Sequence, residues 1–265
     1  MPEPVFTDVR RFATIDSTNR YLLDEARNGA PEGVVAVADH QTAGRGRLGR
    51  SWEAPPGANL LASVLLRPSL GAEQRHLVTA AVALAALDAI VTTGAVGVVA
   101  PGSVGIKWPN DLVAADGRKL AGVLAEADLT SVTPGMRAPV VVGIGVNVNW
   151  PAVDEDLPPE LRGIATSLRQ LAGDDVDREA LLQALLAALG PRIASFDTEA
   201  GRAQLAGDLR SACTTLGRPV RVDLPDESFT GTAVAVNDVG HLVVDVDGES
   251  RTVVAGDVVH VRPEA

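Results

Sequence analysis

Hydrophobic and polar positions along this chain follow two rhythms, and the change between them divides it. Phe12 to Ile15 reads as a short strand, after which Asp16 or Ser17 caps a helix that runs to about Asn28 and stops at Gly29. Val34 to Ala38 and Leu60 to Leu66 read as further strands, separated by a loop rich in glycine and arginine from Ala43 to Gly57. Nearly continuous apolar character from Glu73 to about Thr93 predicts a long helix. Strands dominate next, at Val104 to Lys107, Lys119 to Ala127 and Pro139 to Asn149, with Asp116-Gly117 as a hairpin turn joining two of them. An acidic, proline-rich loop, Trp150 to Pro159, leads into a helical region from about Asp177 to Thr214, expected to break or kink near Gly190-Pro191.

At Leu216 the pattern shifts. Val220 to Leu224, Phe229 to Val236, Leu242 to Val246, Arg251 to Val254 and Val258 to Val261 read as four or five short strands separated by turn residues. That is the pattern of a small barrel appended to a larger α+β domain, with residues 1–215 expected in the first and 216–265 in the second.

Composition changes this picture in three respects. The apolar run Leu77 to Pro101 is long enough to suggest a membrane span, but Asp88 sits mid-run and Thr92, Thr93 and Gly94 interrupt it. A carboxylate there would cost roughly 2.5–3.5 kcal/mol, so a buried alanine-rich helix is expected, with no membrane partner. The net charge of −11 excludes non-specific binding to nucleic acid or anionic lipid, which most of the surface would repel. One cysteine, Cys213, excludes an intramolecular disulfide, and no amino-terminal basic-plus-apolar segment precedes a cleavage site, so a cytoplasmic location is expected.

The basic residues comprise 21 Arg and only two Lys, Lys107 and Lys119, within one 13-residue stretch. A compact ammonium and a planar guanidinium are not interchangeable beside a phosphate or carboxylate. The two lysines therefore draw attention to the residues around them.

GRGRLGRSW, Gly44 to Trp52, contains the G-x-G-x-x-G spacing of a dinucleotide-binding turn. Such a turn runs directly into a helix that holds a pyrophosphate, whereas Arg50 to Gly57 follows here with two prolines. The stretch reads better as a mobile loop whose glycines let backbone approach a ligand while Arg45, Arg47 and Arg50 offer charge to phosphate or carboxylate. KWPNDL, Lys107 to Leu112, groups a cation, an amide and a carboxylate in Lys107, Asn110 and Asp111, suiting a site that handles phosphate, a metal or an amine; a plain turn is the other reading. In RKLAG, Arg118 to Gly122, the small pair Ala121-Gly122 leaves room beside Lys119, either for a ligand or for tight packing. GIGVNVN, Gly143 to Asn149, sets Asn147 and Asn149 on one strand face, where a purine edge or a core network could satisfy them. Asp16-Ser17-Thr18-Asn19 suits a bound polar ring or ordinary helix capping.

Taken in order, DSTN (Asp16 to Asn19), QTAGRGRLGRSW (Gln41 to Trp52), KWPNDL, RKLAG and GIGVNVN resemble the biotin protein ligase family, of the monofunctional type, over about residues 10 to 150. The resemblance implies a mixed sheet flanked by helices, similar to class II aminoacyl-tRNA synthetases, with an SH3-like carboxy-terminal barrel. It implies two reactions: biotin and Mg-ATP give biotinoyl-AMP, and a lysine of a biotin carboxyl carrier domain of a biotin-dependent carboxylase then displaces AMP. ATP, Mg2+ and biotin are the small molecules implied. The resemblance points to Ser17, Thr18, Asn19, Gln41, Gly44, Arg45, Gly46, Arg47, Trp52, Lys119, Gly122, Val123 and Gly143 for biotin. For ATP and AMP it points to Arg45, Arg47, Arg50, Trp52, Lys107, Trp108, Asn110, Lys119 and Asn147. Lys119, Asp111 and Arg47 are the expected catalytic groups, with Asp111 orienting or deprotonating the amine; no metal ligand is assigned. About fifteen residues precede DSTN, where a winged helix-turn-helix needs several times that, so no DNA partner is expected. The expected assembly is a monomer or weak homodimer. Lipoate ligases share the chemistry but not GRGRxGRxW, and a non-catalytic binding regulator would not need Asp111 and Lys119.

Overall fold

The structure, a computed structural model, describes residues 6–94, 102–128, 137–254 and 256–261. Among these residues two sheets form. The first contains β1 (Val9–Ile15), β2 (Val35–Gln41), β3 (Leu60–Leu66), β4 (Val104–Lys107), β5 (Asp111–Ala114), β6 (Lys119–Ala127) and β7 (Val140–Val146), in the order β1-β2-β3-β7-β6-β5-β4. β1 and β2 are parallel; every other neighbouring pair is antiparallel. The second sheet is antiparallel, in the order β11 (Glu249–Val253), β10 (Leu242–Val246), β9 (Ser228–Val236), β8 (Pro219–Asp223), β12 (Asp257–His260). The fold is α+β, as expected, and the carboxy-terminal strands match their predicted positions closely.

Both faces of the seven-stranded sheet are covered, which is why β3 carries LLASVLL rather than an apolar-polar alternation. On one face α1 (Thr18–Arg27) lays Leu22 and Ala26 against Leu65 and Val141. On the other lies α2 (His76–Thr92), the predicted alanine-rich helix, buried along most of its length. α4 (Arg178–Ala194) and α5 (Glu199–Ala212) pack over α2. The apolar run beyond residue 94 falls outside the described residues, and among those described no helix is long and apolar enough to cross a membrane.

Three expectations need correction. Asp111–Ala114, to which the sequence reading gave no element, is a strand; it pairs with both β4 and β6, so Asp116-Gly117 joins β5 to β6. The helical region expected to break or kink near Gly190-Pro191 is not broken there: helix continues to Ala194 with Pro191 inside it and with Leu189, Gly190 and Ile193 buried, and the interruption falls at Ser195–Asp197. Asn147 and Asn149 lie beyond the end of β7, not within it. A short helix, α3 (Leu168–Ala172), capped by Ser167, was not foreseen.

The second sheet shares its core with the first: Val220, Val222, Val236 and Leu242 join the cluster that contains α2 and Ile106. At this junction the His76 ring stacks on Trp108 at 5.3 Å. Burial, with His241 and Arg47 nearby, pushes the His76 pKa down to about 4. Between the ordinary histidine value near 6.5 and pH 4 the unfolded chain therefore binds a proton that the folded chain refuses, and stability falls as pH falls through that window. The loss from this group is up to about 3 kcal/mol. His76→Phe, which keeps a ring against Trp108, is expected to flatten the decline of urea-unfolding free energy between pH 6.5 and 4; an unchanged slope would remove His76 as its source.

Candidate active site

The sheet face that α1 covers changes character along its strands. Beneath α1 it presents Leu65 and Val141; at the helix amino terminus, Ser63 and Gly143; beyond the helix, Gly145 and Gly122. The shrinking side chains open a cavity of about 410 Å³ where the helix ends. A methyl group on Gly145 would lie 2.5 Å from a Trp52 ring carbon, and one on Gly122 would lie 3.2 Å from Lys119 Nζ. These two glycines are thus the floor on which Trp52 and Lys119 rest.

One wall is the start of α1. Ser17 caps the helix by accepting from the Arg20 amide, and Ser17, Thr18 and Asn19 are all buried. The Thr18 amide donates to Gln41 Oε1 at 2.8 Å, holding the end of β2 against the helix. Ser63 Oγ donates to Asn19 Oδ1 at 2.6 Å and lies 2.7 Å from Thr18 Oγ1. This end of the cavity presents fixed hydroxyl and amide groups suited to a small polar ring.

The Gly/Arg loop forms the roof. Its ends close as a small hairpin: the Trp52 amide donates to the Gly44 carbonyl and the Gly46 amide to that of Arg50. Its tip, Leu48, is 68% exposed with φ of 57°, in the left-handed region. Each arginine is held by a different element. Arg45 pairs with Glu126 on β6 at 3.0 Å, and Arg50 with Asp257 on β12 at 2.6 Å. Arg47 donates to Asn110 Oδ1 at 2.9 Å and to the Gly256 carbonyl at 2.8 Å. Among the described residues no carboxylate stands within ion-pair distance of Arg47, and burial lowers its pKa. Asp257 and Asp111 act on this partly buried guanidinium from beyond direct contact, and with no carboxylate touching it the group is open to an anionic ligand. A second hollow of about 460 Å³, lined by His76, Thr79, Pro109 and Glu126 among others, also borders the loop, and Arg45 and Arg47 line both spaces.

The β5–β6 hairpin supplies the last wall. Lys119 Nζ lies 2.8 Å from Asp111 Oδ1 and 5.6 Å from the centre of a Trp52 ring. Asp111 Oδ1 is buried and makes no hydrogen bond of good geometry, so it remains able to accept one.

Of the expected site residues, the cavity gathers Ser17, Thr18, Asn19, Gln41, Arg45, Gly46, Arg47, Arg50, Trp52, Asn110, Asp111, Lys119, Gly122, Val123, Gly143 and Asn147. Three do not line it. Gly44 lies behind Trp52, where a side chain would strike the Trp52 carbonyl. Trp108 is 1% exposed, its indole donating to the Gly240 carbonyl, so its ring has no open face for adenosine. Lys107 sits at the end of β4, half-buried, with its pKa lowered by burial. Asn147 borders the cavity, yet its amide is engaged by the Thr166 carbonyl and Asn59, the core network that the sequence left open as an alternative.

The sequence reading missed the far end. Trp150, Leu157, Leu161, Ile164 and Ala165 complete the cavity with an apolar rim, strapped to the β5–β6 hairpin where the Lys119 amide donates to the Ile164 carbonyl at 2.7 Å. Leu161 and Ile164 stay exposed there. Trp150 and Leu157, apolar residues inside the acidic, proline-rich stretch, were the available signal; Leu161, Ile164 and Ala165 lie beyond it. Asp257, from the second sheet, was also missed, and nothing local marks it.

A cavity with a polar end, an apolar end and guanidinium and ammonium groups on its lining suits anionic ligands, as in a ligase that activates an acid. Residues 11–147 match the Biotin/lipoate A/B protein ligase family, and residues 215–261 match the biotin protein ligase C-terminal domain. Over 94% of its length the chain is 40% identical to a biotin--[acetyl-CoA-carboxylase] ligase of Mycobacterium tuberculosis, 88% of which is covered. It is 34% identical to the bifunctional ligase/repressor BirA of Escherichia coli, with 92% of this chain and 71% of that one aligned. A structure of biotin protein ligase from Aquifex aeolicus in complex with biotin and ATP superimposes with a TM-score of 0.78 at 26% identity, covering 97% of this chain and 99% of the other. The chain belongs to the biotin/lipoate protein ligase family.

Proposed function

We propose that this chain is an ATP-dependent biotin protein ligase whose acceptor is the biotin carboxyl carrier domain of a biotin-dependent carboxylase. The observation that carries the reading is the convergence of Arg45, Arg47 and Lys119 on one cavity whose opposite wall is the Thr18–Gln41 pair. In the first step a biotin carboxylate oxygen attacks the α-phosphorus of Mg-ATP; the bond to pyrophosphate breaks, leaving biotinoyl-AMP. Two anions repel as they approach, and fixed cations in a water-poor site offset that repulsion at little reorganisation cost. Arg47 and Lys119 serve this role, while Trp52 and the loop cover the mixed anhydride and limit hydrolysis. In the second step the acceptor amine attacks the acyl carbon, the bond to AMP breaks, and the amine proton passes to Asp111.

Magnesium enters with the nucleotide as part of the substrate. Among the described residues no three His, Cys, Asp or Glu side chains gather as metal donors, and Asp111, Asp257 and Glu126 each face a cation. The apolar rim at Trp150, Leu157 and Ile164 suits a purine; the polar end at Ser17, Thr18 and Gln41 suits biotin's ureido ring. We take residues 1–215 as the catalytic domain and 216–265 as the second, a division supported by the two separate sheets. A cytoplasmic setting fits a substrate that carries out central carboxylation chemistry.

Incubation with radiolabelled biotin, Mg-ATP and a carboxyl carrier domain is expected to label the carrier in an ATP-dependent manner, with lipoate failing to compete. Label transferred from lipoate and not from biotin would overturn the assignment of substrate.

A further inference from the structure

Glu126 places a carboxylate beside a site built for anions, which on charge alone is counterproductive. It lies on β6 beyond Gly122, the last residue paired to β5, and faces the loop. Its carboxylate accepts from Asn19 Nδ2 at 2.8 Å and holds Arg45 Nη2 at 3.0 Å. Asn19 is only 5% exposed, and its amide also donates to the Leu124 carbonyl, so the platform under Glu126 is rigid. Gly143 leaves the space that the Asn19 side chain occupies. From Asn19 the contacts continue through Ser63 and Thr18 to Gln41, an unbroken polar chain from the far wall of the cavity to the roof.

We propose that Glu126 is a positioning residue: buttressed by Asn19, it fixes the Arg45 guanidinium where the loop borders the cavity. Only Nη2 of Arg45 is engaged, and Nε and Nη1 have no hydrogen-bond partner among the described residues. The guanidinium is therefore oriented without being consumed. Arg45 is about half exposed on a long stem, and an untethered arginine loses its rotamer freedom only when the ligand binds. Holding it beforehand transfers that loss to folding, an effect on the order of tenfold in affinity. The inference rests on the reading that Arg45 meets the anionic part of the bound acid.

The test is a double-mutant cycle of Glu126→Ala and Arg45→Ala, read by the KM for biotin in adenylate formation and by trypsin cleavage within the loop. Glu126→Ala is expected to raise the KM about tenfold with little change in kcat and to speed cleavage after Arg45, Arg47 and Arg50. In the Arg45→Ala background the same substitution is expected to add nothing to the KM. Glu126→Gln keeps the acceptor for Asn19 but loses the ion pair, and is expected to fall between; it also carries the cycle if the alanine variant does not fold. An effect of Arg45→Ala without one of Glu126→Ala, or effects that simply add, would overturn the positioning role while leaving the site reading intact. No effect of Arg45→Ala would instead overturn the placement of Arg45 against the acid.

Discussion

Lys119→Ala is expected to slow adenylate formation by two to three orders of magnitude while leaving the unfolding midpoint nearly unchanged. The two halves of that statement have different sources. Lys119 and Asp111 form a partly exposed pair, with side chains 34% and 22% accessible, and such pairs contribute only about 0–1 kcal/mol to stability. In the reaction, by contrast, the same ammonium stands where charge accumulates between carboxylate and phosphate, and removal of one preorganised group of this kind costs roughly 2.7–4 kcal/mol of transition-state stabilisation. Lys119→Arg is expected to recover little, because the pocket between Gly122 and Trp52 admits a compact head and not a planar fork. Asp111→Asn divides the reaction the other way: pyrophosphate exchange persists, but transfer from preformed biotinoyl-AMP falls by about 10²–10⁴ at neutral pH. Single-turnover measurement of each half-reaction checks both. Equal loss of both half-reactions in Asp111→Asn, or an unchanged adenylation rate in Lys119→Ala, would remove these roles.

How much of this site could be read from sequence depended on whether a residue's partner was local. Ser17 as a helix cap, the loop of three arginines and the clustering of Lys119 with Asp111 across a hairpin were legible because turn chemistry and short spacing determine them. β5 was not: Asp111–Ala114 is four residues long, follows a proline and begins with a charge, so its strand character comes from pairing on both sides and not from propensity. The two glycines of β7 looked alike in GIGVNVN, yet Gly143 accommodates Asn19 and Gly145 the Trp52 ring, a distinction only packing reveals. Asp257 is 207 residues from the Arg50 it holds, and no local pattern announces such a pair. At Pro191 the local rule allowed a break or a kink, and the helix does not break there, its Leu189, Gly190 and Ile193 being buried against its neighbours.

Trp108 does not line the cavity, and its removal is expected to be strongly destabilising. The ring is buried between the first turn of α2, where His76 stacks on it, and the turn before β10, where its Nε1 donates to the Gly240 carbonyl at 2.9 Å. Gly240, at φ of 86°, brings that turn against α2 so closely that a methyl there would lie 3.1 Å from the His76 ring. Trp108→Ala should therefore leave a cavity at the joint between the sheets and cost about 3–5 kcal/mol, with roughly 1 kcal/mol more for the lost hydrogen bond. The consequence reaches the reaction indirectly, because the second sheet supplies the Asp257 carboxylate and Gly256 carbonyl that hold Arg50 and Arg47. Trp108→Phe keeps most of the buried ring and loses the donor, so its expected cost is near the hydrogen bond alone, with the KM for ATP unchanged. Urea unfolding and steady-state kinetics on the two variants separate the possibilities: a folded Trp108→Phe enzyme with a selectively raised KM for ATP would return the indole to the nucleotide site, whereas a stability loss graded with ring volume fixes it as the pin between the two sheets.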